Sequence, residues 1–536
     1  MNMVSVLKET DSDFEWYPTT PQIISAVKKR IGQNDSVLDC GAGDGRVLMA
    51  LTEGQRYAIE KAVPLIQAMP ADVCIVGTDF FESTLIDKQV DAIFCNPPYS
   101  EFKPWAVKII NEAFASKIFL VIPKRWKQSP EIQAAIKRRG AIVKELGSFD
   151  FLHAERQARA EVDVIEIITV NHATSYSREP QDPFDQWFDS EFNFQEADDK
   201  DPDDGKDGGL KSSLHSKLEN AVVAGRGKVP ALVELYNHEM AHLYENFKKI
   251  SSLDADLLRE LGTSAANLRA ALKQRIKGLK NRYWEELFNN LDDITSRLTV
   301  KSRESMVKKL NGQTNVDFTE SNIYAVLIWA IKTANRYYDQ QLIETVESLV
   351  DQANVANYKS NQRVYAWDQW RYNRRDQKDY VTHYGLELRI VLERHSGIMQ
   401  DGAWSSWDFQ NNLHKTAHDT INDLITIANN LNFRTWPNHN TRSVGNWESN
   451  KTKEFYDTDG ETLMFVKAFK NGNLHIKFNQ KFIMRLNVEF GRLKGWLKDK
   501  HQAADELNIP VAEAAASFNA NRQINMSNVK LITGGE

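Results

Sequence analysis

The chain is 536 residues long, room for three to four domains at about 150 residues each. Hydrophobic residues make up 42% and charged residues 26%, which excludes wholesale disorder, a collagen-like fibre and a polytopic membrane protein. The net charge of −6 is unevenly spread: residues 181–210 hold 11 Asp and Glu against 2 Lys and Arg, so the mildly basic stretch 211–536 is masked and a polyanion-binding surface fits there.

The first 170 residues alternate short apolar runs with helical segments, the pattern of βα units and a mostly parallel sheet. Strands are expected at Ser36–Asp39, Tyr57–Glu60, Val73–Gly77, Asp91–Cys95, Ile118–Ile122, Ile142–Phe149 and Val162–Val170. Helices fit between them at Pro21–Ile31, Ala106–Ala115 and Pro130–Arg139. The fold class is therefore α/β, a doubly wound seven-stranded domain over residues 1–172, expected to bind its ligand on its own. Residues 173–210 are acidic, rich in Gly and Pro and aperiodic, an expected linker whose Trp187, Phe188, Phe192 and Phe194 could anchor it to a neighbouring domain. Residues 211–350 place apolar side chains at three- and four-residue spacing and read as a helical domain. Residues 351–536 are mixed, crowded with aromatics and arginines, and expected to form a target-recognition domain. Within it, LMFVKAFKNGNLHIKF alternates around Asn471–Gly472, a dipeptide suited to a type I′ hairpin turn.

The cysteines are Cys40, Cys74 and Cys95, with no C-x-x-C pair, which argues against a disulfide scaffold and a thiolate zinc site and for a reducing cytoplasm. The N-terminal stretch is polar and acidic where a signal peptide is basic and then apolar. The longest apolar run, near Ile323 to Ile331, is too short for a bilayer, so no membrane partner is expected.

Chemistry concentrates at strand ends. In Val37-Leu-Asp-Cys-Gly-Ala-Gly-Asp-Gly-Arg46 a strand runs out at Asp39, and the glycines let backbone amides approach a ligand. The D-x-G-x-G spacing differs from the dinucleotide fingerprint G-x-G-x-x-G, which argues against a nicotinamide enzyme. A second strand ends in Glu60, placed to accept protons from ribose hydroxyls; a third ends before Asp79 and Phe80, a carboxylate and a ring for an adenine amine and face. The fourth ends in Asn96-Pro97-Pro98-Tyr99. There the prolines stiffen the backbone, the Asn96 amide oxygen and Pro97 carbonyl can accept both protons of an exocyclic amine, and Tyr99 offers a π-face to a planar group. That is the local chemistry needed to methylate a planar NH2.

With these motifs in this order, residues 14–170 resemble a class I S-adenosylmethionine-dependent methyltransferase of the amino-methylating N-P-P-Y type. The resemblance implies a Rossmann-like catalytic domain and S-adenosylmethionine as cofactor. It assigns the cofactor to Tyr17, Thr19 or Thr20, Asp39, Gly41, Ala42, Gly43, Glu60, Asp79, Phe80 and Asn96, and catalysis to Asn96, Pro97, Pro98 and Tyr99. Thr19 and Thr20 compete for a role the family gives to one Thr before Pro; Thr20–Pro21 also reads as a helix N-cap and first helical position. The motif order is similar to the gamma arrangement of DNA N6-adenine methyltransferases, and the long C-terminal half resembles the uncharacterised domain on some phage and prophage methyltransferases. Double-stranded DNA is the implied partner. Methylation of an RNA base or a protein glutamine amide, and a catalytically silent nucleic-acid-binding protein, are the alternatives.

Two further patterns need weighing. His238-Glu239-x-x-His242 has the helical spacing of a zinc hydrolase, but no extended zinc motif follows, and packed or surface histidines are the preferred reading. Arg363, Tyr365, Trp367, Arg371, Arg374 and Arg375, continued by Lys470 and Lys477 on the hairpin, combine phosphate contacts with stacking faces and are the candidate DNA grip.

Overall fold

The computed structural model describes residues 3–152, 154–169, 183–184, 187–188, 228–253, 255–290, 297–312, 315–351, 353, 355–357, 359, 383–393, 397–398, 409–435, 440–441 and 443–518. The chain forms two compact units, Met1–Leu287 with Met306–Ala330, and Phe288–Ser305 with Ile331–Glu536. The helical segment anticipated over 211–350 is thus divided between them.

The first unit is built on β1 (Val37–Cys40), β2 (Arg56–Ile59), β3 (Val73–Gly77), β4 (Gln89–Cys95), β5 (Phe114–Pro123), β6 (Ile142–Phe151) and β7 (Ala158–Ile168), in the order β3-β2-β1-β4-β5-β7-β6. The first five are parallel, and β7 runs antiparallel to both its neighbours. This is the seven-stranded Rossmann-like sheet expected from the sequence. Strand order reverses between β1 and β4, where doubly wound sheets leave a crevice at their carboxyl ends. Strands β1 and β3 are buried along their whole length, as a sheet covered on both faces requires.

Helices α1 (Met3–Glu9), α2 (Pro21–Lys28), α3 (Arg46–Leu51), α4 (Val63–Ala68), α5 (Phe102–Glu112) and α6 (Pro130–Arg139) accompany the sheet. Helix α5 starts four residues earlier than its periodicity suggests. Pro104 sits in its first turn, where a missing N–H costs nothing. It also stops earlier, because Ala113 is already extended and Phe114 opens β5.

Helices α7 (Lys228–Ile250), α8 (Ala255–Glu260) and α9 (Ala265–Asn290, to Leu287) belong to the same unit, as do part of α10 (Val300–Gly312) and the start of α11 (Glu320–Val350). Of the aromatic anchors, Phe188 is buried against Phe247 and Leu272 with Trp187 packed alongside, and Phe184, not among those expected, joins the same cluster. Phe192 and Phe194 lie outside the described residues. Tyr236, Tyr283, Trp284 and Phe318 form an aromatic cluster with centroids 5.1–5.5 Å apart.

The second unit has strand pairs β8 (Val355–Asn357) with β9 (Tyr384–Leu386) and β11 (Phe409–Gln410) with β12 (Leu413–His414). Its main sheet is antiparallel, β10 (Arg389–Leu392), β15 (Leu474–Phe478), β14 (Thr462–Ala468) and β13 (Thr452–Tyr456) in that spatial order. One face packs on α12 (Lys415–Asn430) and α13 (Gln480–Leu493), burying Ile390, Val466 and Ile476 against Ile421, Leu424, Phe482 and Leu486. Helices α14 (Lys500–Leu507) and α15 (Val511–Phe518) close a small satellite core around Val488 and Leu497.

The β14–β15 hairpin lies where expected, but its turn is not type I′. The Phe469 N–H bonds to Asn473 O at 3.0 Å and the Gly472 N–H to Phe469 O at 3.1 Å; Gly472 is left-handed at φ +86° while Asn471 is not. A three-residue loop of this kind, an ordinary turn followed by a left-handed glycine, needs positive φ at one residue rather than two. No helix among the described residues is long and apolar enough to cross a membrane.

Candidate functional site

A cavity of about 300 Å³ opens at the carboxyl ends of β1, β2, β3 and β4. Tyr17, Thr19, Asp39, Gly41, Ala42, Glu60, Asp79, Phe80, Asn96 and Pro98 line it, four strand ends and the segment before α2 brought to one place. Thr20, Gly43, Pro97 and Tyr99 are not in the lining. Thr20 sits at the N-cap of α2, leaving Thr19 as the residue that faces the site.

The glycine loop is fastened to the end of β2. Gly41 N–H and Ala42 N–H both donate to Ile59 O, and Gly43 N–H donates to Glu60 Oε2 at 2.7 Å. Gly43 has φ +58°, and a Cβ there would lie 2.3 Å from Trp16 Nε1, so only glycine fits beneath that indole. Arg46 lies over the Trp16 ring and is itself held by Asp44 and Glu155.

The carboxylates are the strongest electrostatic feature. Asp39 is 1% exposed, and its Oδ1 is buried without a hydrogen-bond partner among the described residues. Burial, then the charges of Glu60 and Asp44, hold its pKa well above the ordinary range. Glu60 accepts from Ala62 N–H at 2.8 Å as well as from Gly43; burial outweighs those bonds and pushes its carboxyl up to about 7. Asp79 accepts from Lys61 at 2.9 Å and from Phe81 N–H at 2.9 Å, and its pKa is lowered although burial alone would raise it. A cation entering this space would favour ionisation of the raised Asp39 and Glu60 carboxyls, while Asp79 is already paired with Lys61.

Asn96 has a fixed orientation. Its Nδ2 donates to Tyr17 O at 3.2 Å and to Thr19 Oγ1 at 3.3 Å, and its Oδ1 accepts from the Tyr99 hydroxyl at 3.2 Å. The Tyr99 ring runs parallel to that of Tyr17, with centroids 6.2 Å apart and planes 7° from parallel, and meets Phe151 edge-on. Burial raises the Tyr99 phenol well above its ordinary value, so it stays a neutral donor.

Three residues of this site have no motif to announce them. Trp105 of α5 stacks on Phe80 at 3.9 Å and 9°, covering the face expected for an adenine. Arg156, just before β7, lies 4.4 Å over Tyr17 and holds Asp13 through both guanidinium nitrogens. Trp16, next to Tyr17, takes its seat over Gly43 only through the fold.

The remaining candidates lie elsewhere. His238 and His242 are exposed on α7, Glu239 between them pairs with Arg282, and no group of three or more His, Cys, Asp or Glu among the described residues could hold a metal. Arg363, Tyr365, Trp367, Arg371, Arg374 and Arg375 lie outside the described residues. Lys470 is in the hairpin turn and Lys477 on β15, on the sheet face away from α12 and α13.

Residues 276–496 match a family described as a domain of unknown function, DUF4942. No curated protein matches the chain. Among solved structures it is similar to the E. cuniculi Mtq2-Trm112 complex, responsible for methylation of the eRF1 translation termination factor, at 14% identity over 28% of this chain and 98% of that one, TM-score 0.24. It is also similar to the 23S rRNA methyltransferase ErmE, at 13% identity over 40% and 91% of the two chains, TM-score 0.26. A dimethyladenosine transferase from Plasmodium falciparum is similar at 12% identity over 51% and 97%, TM-score 0.26.

Proposed function

We propose that the first unit transfers a methyl group from S-adenosylmethionine to an exocyclic amine, with N6 of adenine in double-stranded DNA as the target. One observation carries this reading: Asn96, oriented with its amide oxygen toward Tyr99, lines the same cavity as Asp39, Gly41, Asp79 and Phe80.

The residues suit the cofactor. An unpartnered buried carboxylate oxygen on Asp39, in a cavity rich in acidic side chains, favours a ligand carrying a sulfonium and an ammonium. Glu60 would hold the ribose hydroxyls, Asp79 and Phe80 the adenine, and Asp39, Gly41, Ala42, Tyr17 and Thr19 the methionine end, with Gly43 fastening Glu60 through its N–H. When bound, the cofactor supplies an electrophilic methyl group.

The chain's own contribution is positioning. Asn96 Oδ1 and the Pro97 carbonyl accept the two amine protons and draw the nitrogen lone pair out of conjugation, so that it can attack in line. Tyr99 gives the base a flat neutral face. A base inside a duplex must first leave the stack, an unstacking cost of a few kcal/mol that contacts to the rest of the nucleic acid must offset.

A basic sheet face supports a nucleic acid over a protein. On the outer face of the second unit's sheet, Arg389 pairs with Lys477, and Lys467 with His475. Arg389 and Lys477 are like charges directly across the sheet, a pairing that destabilises it, and an anionic partner removes the penalty.

Incubating the full chain with labelled cofactor and separate pools of duplex DNA, single-stranded DNA, RNA and protein tests the reading. Label should appear in duplex DNA as N6-methyladenine. Label confined to RNA or protein, or found only as N4-methylcytosine, overturns it.

A further inference from the structure

The loop that carries Asp79 and Phe80 runs from the end of β3 to the start of β4, and a segment far away in sequence grips it at its beginning, middle and end. At the beginning, Thr78 lines the cavity, and both its N–H (2.8 Å) and its hydroxyl (3.0 Å) donate to Asn322 Oδ1. In the middle, Thr84 N–H donates to Asp317 Oδ2 at 2.7 Å. At the end, Lys88 Nζ reaches the same Oδ2 at 3.1 Å, Asn315 Nδ2 donates to Asp87 O at 2.9 Å, and Lys280 Nζ bridges Asp87 Oδ2 at 2.6 Å to Asp317 Oδ1 at 2.7 Å.

These grips are buried and tied to one another. Asn322 is 4% exposed and Lys88 fully buried, and Asn322 Nδ2 donates to Asp317 O at 3.0 Å. Val316 and Phe318, on either side of Asp317, are fully buried, and the Trp284 indole donates to Val316 O at 2.8 Å. A segment so anchored cannot shift without breaking buried charge-assisted bonds.

We infer that Asn315–Asn322 is a positioning element of the cofactor site, and that Asn322 sets the conformation of the loop holding the adenine. It lies within residues 276–496, so this part of the domain of unknown function serves the methyltransferase fold itself. Asn322 touches no reacting atom; it acts through Thr78, one residue before Asp79. The inference rests on the methyltransferase reading and names which part of the cofactor it governs.

The test is calorimetric titration of the full chain with S-adenosylhomocysteine and, separately, with adenosine. Asn322→Ala strips Thr78 of both acceptor contacts and should weaken both ligands by roughly ten-fold, the ordinary scale for such bonds. Turnover at saturating cofactor and KM for nucleic acid should stay unchanged. Asn322→Asp keeps an acceptor for Thr78 and should recover most of the adenosine affinity, which guards against a variant that merely unfolds. Wild-type affinity in Asn322→Ala, a loss that spares adenosine, or a loss that Asn322→Asp does not recover overturns the inference. Absence of S-adenosylhomocysteine binding to the unaltered chain would instead overturn the methyltransferase reading.

Discussion

The Tyr99 hydroxyl donates to Asn96 Oδ1 across 3.2 Å, so the oxygen assigned to an incoming amine already has a donor. With two lone pairs on that oxygen, a substrate amine shares it with the hydroxyl or displaces it. Removing the carboxamide should collapse methyl transfer by on the order of 10²-fold or more, the scale for a group aimed at the reacting atom in a dry site. Asn96→Ala should show this in kcat with the chain still folded. Tyr99→Phe keeps the stacking face and frees the oxygen, so its kcat/KM should match or exceed wild type. A loss in Tyr99→Phe as large as in Asn96→Ala would make the hydroxyl part of the chemistry.

A second prediction concerns pH. Burial lifts the Glu60 carboxyl from the ordinary 4.5 to about 7. Because the folded-state value is raised, ionising Glu60 costs the fold stability. The cost is absent below about pH 4.5, grows as pH rises, and is complete above about pH 7, roughly 3 kcal/mol for this shift. The melting temperature of Glu60→Gln relative to wild type should therefore climb across that window. Ribose hydroxyls donating to Glu60 favour its ionised form, so cofactor binding near pH 7 should release about half a proton. Titration calorimetry in buffers of different ionisation enthalpy measures that release, and a buffer-independent enthalpy would contradict the assignment.

These sites differ in how well the sequence displays them. Asp39 to Gly43 and Asn96 to Tyr99 are contiguous runs at strand ends, where a few residues bring their own backbone geometry, so spacing alone exposes them. The alternating pattern located the β14–β15 hairpin for the same reason, but Asn471–Gly472 misled on the turn. The register pairs Ala468 with Leu474, and the Phe469 N–H with Asn473 O, leaving a three-residue loop, and register is a property of the sheet. Trp105, Arg156 and Asn322 are single residues whose partners lie on other elements. Asn322 meets Thr78 across 244 positions, and no local pattern encodes such a contact.

Trp105 leads to a third prediction. Its indole lies flat on Phe80, which is only 3% exposed as a result. An adenine on that ring face must displace the indole. Stacking of this kind contributes about 0.5–1.5 kcal/mol, so Trp105→Ala should bind adenosine roughly two- to ten-fold more tightly. Ligand added to the unaltered chain should also shift tryptophan fluorescence. Weaker adenosine binding by Trp105→Ala would make Trp105 a wall of the slot instead of its occupant.

The catalytic fold should also fail when cut short. A chain ending at Asn171 lacks Lys280, Asp317 and Asn322, so Lys88, Thr84, Thr78 and Asp87 lose the partners that hold the β3–β4 loop. Losing one side of a buried ion pair costs about 3–5 kcal/mol, a large share of the roughly 5–15 kcal/mol that keeps a domain folded. Such a chain should show no cooperative melt and no cofactor binding. In the full chain, Asp317→Ala should lower stability by a similar amount in chemical denaturation. A soluble, cooperatively melting fragment that binds cofactor would show that the buried pairs are dispensable.

The last prediction concerns the basic sheet. Pairing puts Arg389, Lys477, Phe465 and Glu454 in one row across the four strands, and Val391, His475, Lys467 and Thr452 in the next. Lys477 lies 5.8 Å over the Phe465 ring. Burial first, then Arg389 and Lys467, depress the His475 pKa, so the fixed positive charges of this face are Arg389, Lys467 and Lys477. The opposite face is filled by the core against α12 and α13, so these side chains have no apolar role that their charge merely accompanies. If the rows contact phosphates, each lost contact removes about 0.9 from the slope of log affinity against log salt. Replacing Arg389, Lys467 and Lys477 together by Ala should therefore weaken DNA binding at low salt and flatten that slope by about two to three, while cofactor affinity stays at the wild-type value. Fluorescence anisotropy with a labelled duplex across a salt series reads both quantities. A wild-type slope in the triple variant would place the DNA grip elsewhere on the chain.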